Sequence, residues 1–303
     1  MPLHIRPYQI SDGSVLRTRF STSPRPPWLR LPPDCDLPVV LASDDEVTVF
    51  VLETAPGNVV GLVAVDERAE DPLLVGPLLW ADQLADLFGL SLMNKAVAWA
   101  EGKHLPGLVS KLDLEDDHAL NFFMNQGFRL LGTREILLTV TPDSLLTPTI
   151  PDGVKVGPSP DMLSSDYLRL YSEVGIPLGW RERLAWTRPQ VFEHLQRPEI
   201  HLLAARAGST YLGFIELEVR QAVAEIKLFG VLPAFRGRGV GRALLGQALV
   251  HALTVLGLEA VKMRARTDEA GGLPFEPSRY GFRQERVLVY LEKPLAGVLS
   301  KAD

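Results

Sequence analysis

From Ala243 onward the apolar residues Leu244, Leu245, Ala248, Leu249, Ala252, Leu253 and Leu256 return at helical spacing, and Gly257 stands where such a helix ends. The stretch "AEIKLFGVL" before it reads as a strand. In "EAVKMRART" after it, Val261, Met263 and Ala265 alternate with Lys262, Arg264 and Arg266, which is the period of a second strand. A strand, loop, helix and strand in that order place the two strands parallel. Upstream, "IHLLAARA" and "YLGFIELEV" read as further strands whose short loops suit antiparallel neighbours. Helices are expected from Asp161 to about Glu173 and from Arg188 to about Leu195.

The pattern occurs twice. "LLVGPLLWADQLADLFGLSLMNKAVAWA" from Leu73 parallels "KLFGVLPAFRGRGVGRALLGQALVHALT" from Lys227, and Gly76 and Gly230 align at an offset of 230 − 76 = 154 residues. Each half then reaches a Gly-Phe pair, Gly127-Phe128 and Gly281-Phe282, and the first is preceded by a helix-like "ALNFFMNQGF". Between the halves "TPDSLLTPTIPDG", residues 141–153, carries three prolines that suit neither a helix interior nor a central strand. The expected organisation is two tandem α/β domains, residues 1–145 and 146–303. Each is expected to be a mixed, mostly antiparallel sheet flanked by helices.

Composition narrows the chemistry. At 303 residues with 46% apolar and 22% charged, the chain is long enough for two ordinary cores. A net charge of -6 leaves no broad basic field for nucleic acid or an anionic membrane, so any anion site is local. The lone Cys35, in the proline-rich "LPPDCDLP", excludes an internal disulfide framework, fits a reducing compartment and has no local base to make it a nucleophile. Arg6, Gln9 and Asp12 interrupt the amino end, so no export signal is expected and the cytoplasm is the default. The stretch from Ala243 to Leu258 is too short for a membrane span and carries Gln247 and His251. The histidines at 4, 104, 118, 194, 201 and 251 lack metal-ligand spacing, and no Gly-x-Ser-x-Gly elbow occurs. No metal is expected.

The sharpest signal is "VLPAFRGRGVGR", where Arg236, Arg238 and Arg242 are interleaved with Gly237, Gly239 and Gly241 and only Val240 is bulky. It sits between a strand end and the first turn of a helix, where backbone N–H groups lack partners and the helix dipole favours an anion. The glycines let backbone approach a pyrophosphate and the arginines add charge. Gly-x-x-x-x-Gly-Lys-Ser/Thr is absent, and so is Gly-x-Gly-x-x-Gly, because Arg242 and Leu244 occupy the third glycine position of its two registers. A wet, basic strand-to-helix turn is the plainer reading.

Arg236-x-x-Gly239-x-Gly241, preceded by "FGVLP" and followed by a helix, resembles the coenzyme A loop of the GNAT acyltransferase superfamily. Each half is similar to one GNAT fold, so the likeness covers nearly the whole chain. It implies acetyl-CoA as cosubstrate, with the backbone around Phe229, Gly230 and Val231 holding the thioester and pantetheine arm. Arg236, Gly237, Arg238, Gly239, Val240, Gly241 and Arg242 would hold the pyrophosphate. The aligned first-half positions are Asp82, Ala85 and Leu87, an acid and two side chains where the motif has Arg236, Gly239 and Gly241. The first half is therefore expected to keep the fold without the coenzyme. Tandem enzymes of the mycothiol synthase type look similar in working through the second half.

An ammonium has no lone pair, so transfer to an amine needs a base. Glu225 falls where some family members place a catalytic glutamate, and on an unbroken strand it shares a face with Phe229, roughly 13 Å away between α-carbons, which suits a water relay. A hairpin closing at Gln221-Ala222 would set Glu218 against Glu225 and Glu216 against Lys227, with opposed carboxylates raising one acid constant. A solvated acidic strand face is the alternative. The family's tyrosine acid corresponds to Pro277, and in the first half to Phe123, which leaves Tyr280 as a substitute donor or a packed aromatic. Asp268 and Arg266 at a strand end suit either a ligand or a plain turn.

Tyr167, Tyr171, Trp180, Trp186 and Phe192 lie in the segment that similar enzymes use for the acceptor, or pack on the sheet. The expected activity is acetyl transfer to a primary amine of a small molecule or peptide. An acyl-CoA sensor without turnover and a mycothiol-synthase-like thiol-cofactor enzyme are the alternatives. A homodimer stays open.

Overall fold

The computed structural model describes residues 4–22, 46–68, 71–80, 85–178, 180, 182–267, 273 and 275–295. Cys35, Asp82 and Asp268 lie outside them. Two compact units emerge. One comprises Met1–Glu135, Arg266–Gly272 and Arg286–Asp303, and the other Ile136–Ala265 and Leu273–Glu285. Position 145 thus falls inside the second unit, and the chain from Arg286 belongs with the first.

In the first unit β1 (His4–Pro7), β2 (Val47–Ala55), β3 (Asn58–Asp66) and β4 (Leu73–Leu79) pair antiparallel in turn. After β4 the chain forms α2 (Ala85–Gly102) and returns as β5 (Gly107–Asp113), parallel to β4 at Leu73↔Val109 and Leu74↔Ser110. Two further helices are α1 (Asp12–Thr22) and α3 (Asp117–Asn125), the latter capped by Asp116, whose carboxylate accepts from the Ala119 amide at 3.0 Å. The sixth strand comes from the far end of the chain: β12 (Arg283–Pro294) pairs antiparallel with β5 from Leu288↔Asp113 to Pro294↔Gly107. Val289 and Leu291 of β12 are buried in one core with Leu52, Leu62, Leu92 and Phe123.

The second unit holds residues 136–140 of β6 (Arg129–Val140) together with β7 (Lys155–Pro158), β8 (Ile200–Ala207), β9 (Thr210–Arg220), β10 (Val223–Val231) and β11 (Ala260–Arg266). Their order is β6-β11-β10-β9-β8-β7. Against one face, α4 (Ser164–Gly175) and α5 (Arg188–Leu195) bury Tyr167, Leu170, Tyr171 and Val191. Against the other, α6 (Val240–Val250) buries the apolar stripe read from its sequence, including Leu244, Leu245, Ala248 and Leu249. The helical stretch continues through a π turn, His251–Val255, before Gly257 takes a positive φ of 69°. The helix expected from Asp161 starts at Ser164, because Pro160 and the turn at Ser159–Met162 precede it. Each unit is a mixed, mostly antiparallel sheet flanked by helices.

Candidate functional site

The β9–β10 hairpin closes on Gln221, at φ 55°, and Ala222. It pairs Glu225 with Glu218 and Ile226 with Leu217, and then slips: Leu228, not Lys227, stands opposite Glu216. The expected Glu216–Lys227 pairing is therefore replaced by a β-bulge with Lys227 as the extra residue. The bulge also reverses facing. Ile226, Phe229 and Val231 pack in the core under α6, whereas Leu228 joins the core under α4, and Gly230 abuts Val174 and Trp180. Glu225, next to Ile226, faces the α4 side, so it does not share a face with Phe229 as an unbroken strand would require.

The same bulge opens the sheet. The parallel β10–β11 ladder runs from Val223↔Ala260 to Ile226↔Met263 and stops there, although β10 continues to Val231 and β11 to Arg266. Residues 228–231 of β10 thus carry backbone donors and acceptors along an edge outside that ladder.

Beyond β10, Pro233–Phe235 form a single 3-10 turn and the chain reaches α6 through the glycine loop. Gly237 (φ 74°) and Gly239 (φ 79°) are left-handed, which a side chain would strain. Gly239 is the N-cap of α6 and supplies no side-chain cap; the first helical bond is Ala243 N–H to Gly239 O, 3.0 Å. The amides of Val240, Gly241 and Arg242 therefore have no acceptor within the helix. Arg236, Arg238 and Arg242 are exposed, and Val240 is buried. Arg236 turns back, its Nε donating to Val231 O at 3.0 Å, and Arg238 lies over the Phe235 ring at 5.8 Å. An ideal Cβ on Gly241 would touch Val231 at 3.5 Å and Phe229 at 3.6 Å, so this glycine adjoins the open strand.

In the first unit the counterparts differ. Ala85 opens α2 and Leu87, half-exposed, follows in its first turn. At the offset of 154 residues, 231 − 154 = 77, Val231 corresponds to Pro77, which has no N–H to offer.

The acids do not form the repelling pair expected of them. Lys227 Nζ sits 3.5 Å from Glu225 Oε2 and 3.8 Å from Glu218 Oε2, placing a shared cation between the two carboxylates. Glu225 Oε1 also pairs with Arg264 Nε at 3.1 Å, and Glu218 with Arg220 at 2.9 Å. Tyr280 ends the short turn Pro277–Tyr280, half-buried against Phe275 in the α6-side core. That is the face opposite Glu225 and Glu218, so the three are not brought together.

Sequence reasoning missed a cluster beneath α4. Glu216 is fully buried; Arg183 Nη1 and Nη2 donate to its two oxygens at 2.8 and 3.0 Å. His194 Nε2 lies 3.1 Å from Oε1, and Tyr167 donates its hydroxyl to Oε2 at 2.9 Å while accepting from Arg183. Burial alone would push the Glu216 carboxyl up; hydrogen bonds from His194 and Arg183 outweigh it and hold the group down to about 2. Burial raises the Tyr167 hydroxyl above its ordinary range. The signal in the sequence was an acid set between Ile215 and Leu217 of an apolar strand. Around it, Trp180 packs on Tyr171 (5.4 Å) and Phe214 (6.2 Å), and Trp186 on Arg183 (4.8 Å) and His194 (5.1 Å), whereas Phe192 is exposed. Among the described residues no group of three or more His, Cys, Asp or Glu could hold a metal ion, and no helix is long and apolar enough to cross a membrane.

Residues 163–275 match the Acetyltransferase (GNAT) family. The match is confined to that stretch of the second half, which is what the chain has in common with the family. The matched span takes in α4, α5, β8 to β11, the arginine-glycine loop and α6. Among solved structures, a GCN5-related N-acetyltransferase from Sphaerobacter thermophilus is similar over 96% of this chain and 95% of its own, at TM-score 0.68 and 15% identity. A tandem GNAT protein from the clavulanic acid biosynthesis pathway is similar over 99% and 100%, at TM-score 0.69 and 15% identity. A GCN5-related glucosamine N-acetyltransferase region of a fungal multi-domain GH3 β-N-acetylglucosaminidase is similar over 96% of this chain and 38% of that one, at TM-score 0.67 and 13% identity. At these identities the likeness is one of fold. No curated protein sequence matches.

Proposed function

We propose that the chain transfers an acetyl group from acetyl-CoA to a primary amine of a small molecule or peptide, at the site on β10 and α6. The observation that carries this reading is the ladder that ends at Ile226↔Met263, leaving residues 228–231 of β10 outside it ahead of a helix with no side-chain cap. An extended, amide-bearing pantetheine arm pairs with the backbone of Phe229 and Val231 as an added strand would, and its pyrophosphate meets the first amides of α6. Arg236, Arg238 and Arg242 supply the countercharge. The first unit takes no coenzyme, since Pro77 and Leu87 stand at the positions of Val231 and Gly241.

Glu225 serves as the base through water. It is partly exposed and precedes the bulge where β10 leaves β11, while Arg264 and Lys227 fix its carboxylate. Glu218 helps to hold Lys227. Glu216 is excluded, because both of its oxygens are occupied by Arg183, His194 and Tyr167. Glu225 first takes a proton from the acceptor's ammonium through water; the lone pair so freed forms the C–N bond as the C–S bond breaks. With Tyr280 on the opposite face, the thiolate takes its proton from solvent or from the ammonium formed. Coenzyme A release measured over a broad amine panel tests the reading. Turnover on at least one amine supports it; stabilisation by the coenzyme with no turnover on any amine favours an acyl-CoA sensor.

A further inference from the structure

Two ionised side chains buried in an apolar core are an expensive way to join a loop to a sheet, and a packed apolar pair does as well for stability. The buried Arg183–Glu216 pair therefore raises the question of what it positions. Arg183 belongs to the connection between α4 and α5. Its guanidinium grips β9 through Glu216, and its backbone N–H donates to the Tyr171 hydroxyl at 3.3 Å. Three residues earlier on that connection stands Trp180, whose backbone N–H donates to Gly175 O at 2.9 Å and whose ring rests on Tyr171 and Phe214. The ring reaches β10. An ideal Cβ on Gly230 would lie 3.6 Å from Trp180 Cη2 and collide with Val174. Tyr167, Tyr171 and Phe214 are fully buried, but Trp180 is only half-buried.

Gly230 is the residue between Phe229 and Val231. On the α6 side of the strand the room is taken by the Phe229 and Val231 side chains and by Gly241 against them. On the α4 side Gly230 itself contributes no side chain, and Trp180 and Val174 close the space over it. We propose that Trp180 sets the length of acyl group the site accepts, and that Arg183 is the residue that positions it, through Glu216. The inference rests on the coenzyme reading above, since it needs the thioester at Phe229–Val231. An acetyl group held at Phe229–Val231 stops short of the indole; each added methylene extends toward it.

Calorimetric titrations with free coenzyme A, acetyl-CoA and butyryl-CoA test this without knowledge of the acceptor. The wild-type protein binds butyryl-CoA about tenfold or more weakly than acetyl-CoA, the scale of discrimination that one or two methylenes give in an apolar pocket. Trp180→Ala, and Trp180→Leu, which retains more of the packing, bring the ratio close to one when each variant is normalised to its own Kd for free coenzyme A. Arg183→Lys keeps the charge without the two-bond grip and shifts the ratio the same way by a smaller factor. A wild type that binds no coenzyme A sinks the coenzyme reading itself. Coenzyme binding with an unchanged ratio in both Trp180 variants overturns the acyl limit alone. A ratio moved by Trp180 but not by Arg183→Lys overturns the positioning role.

Discussion

Arg183 and Glu216 are 33 residues apart in sequence and joined by two hydrogen bonds, 2.8 and 3.0 Å, in a site where the carboxylate has no exposed surface. The Glu216 carboxyl is held at about 2, below its ordinary 4.5, so its ionised form stabilises the fold above the ordinary carboxylate range. That contribution fades as pH falls from about 4.5 toward about 2. Glu216→Gln leaves the Arg183 charge buried without its partner and is expected to cost about 3–5 kcal/mol. Thermal unfolding followed between pH 2 and 6 should show the wild type losing stability across this window. The variant should be less stable at neutral pH and flatter below it; equal slopes in the two proteins contradict the assignment.

Gly239 and Gly241 are two residues apart yet respond differently to a methyl group. Gly239 sits at φ 79°, so Gly239→Ala should destabilise the fold by about 1–3 kcal/mol and weaken coenzyme binding together. Gly241 is helical with ordinary contacts, so Gly241→Ala should keep or raise Tm, since alanine is the better helix former by roughly 0.5–1 kcal/mol. Its added methyl points at Phe229 and Val231, and coenzyme A affinity should fall without loss of stability. Unchanged affinity in Gly241→Ala would place the pantetheine arm elsewhere.

The pairing of β12 with β5 makes the first unit dependent on the last strand of the chain. A chain ending at Glu285 should lose hydrogen-exchange protection along Gly107–Asp113, while β8 and β9 of the second unit stay protected. Fragment 1–145 should show the same loss. Full protection of β5 in either would mean that β12 is dispensable.

How far the sequence showed this is uneven, for physical reasons. The periodicity of Leu244 to Leu253 and the two-residue turn at Gln221-Ala222 are local signals, and they gave α6 and the Glu225↔Glu218 register. The bulge at Lys227 is not local: one extra residue in β10 turns Phe229 away from Glu225, and nothing in "AEIKLFGV" marks it. The Lys227 ammonium then falls between two carboxylates that alternation alone had set against each other. The pairing of β12 with β5 joins Leu288 to Asp113, 288 − 113 = 175 residues apart, which periodicity does not encode. Glu216 looked like one of three strand acids; its distinction from Glu218 and Glu225 arises only when α4 and α5 cover it.

The roles proposed for Glu225 and Glu218 predict different behaviour of their variants. Glu225→Gln should lower turnover on any amine found to react by about 10²–10⁴-fold, the usual range for a lost general base, with coenzyme A affinity retained. Glu218→Gln should have a smaller effect, since Lys227 keeps Glu225 as a partner. Equal losses in the two variants, or none in Glu225→Gln, would move the base elsewhere.

If the open edge of β10 and the uncapped start of α6 form a coenzyme A seat, the second unit alone binds the coenzyme. Calorimetric titration of the full chain with acetyl-CoA measures this directly. One equivalent should bind per chain, and far more weakly in Gly239→Val; no binding, two equivalents per chain, or binding that survives that substitution would rule out this seat.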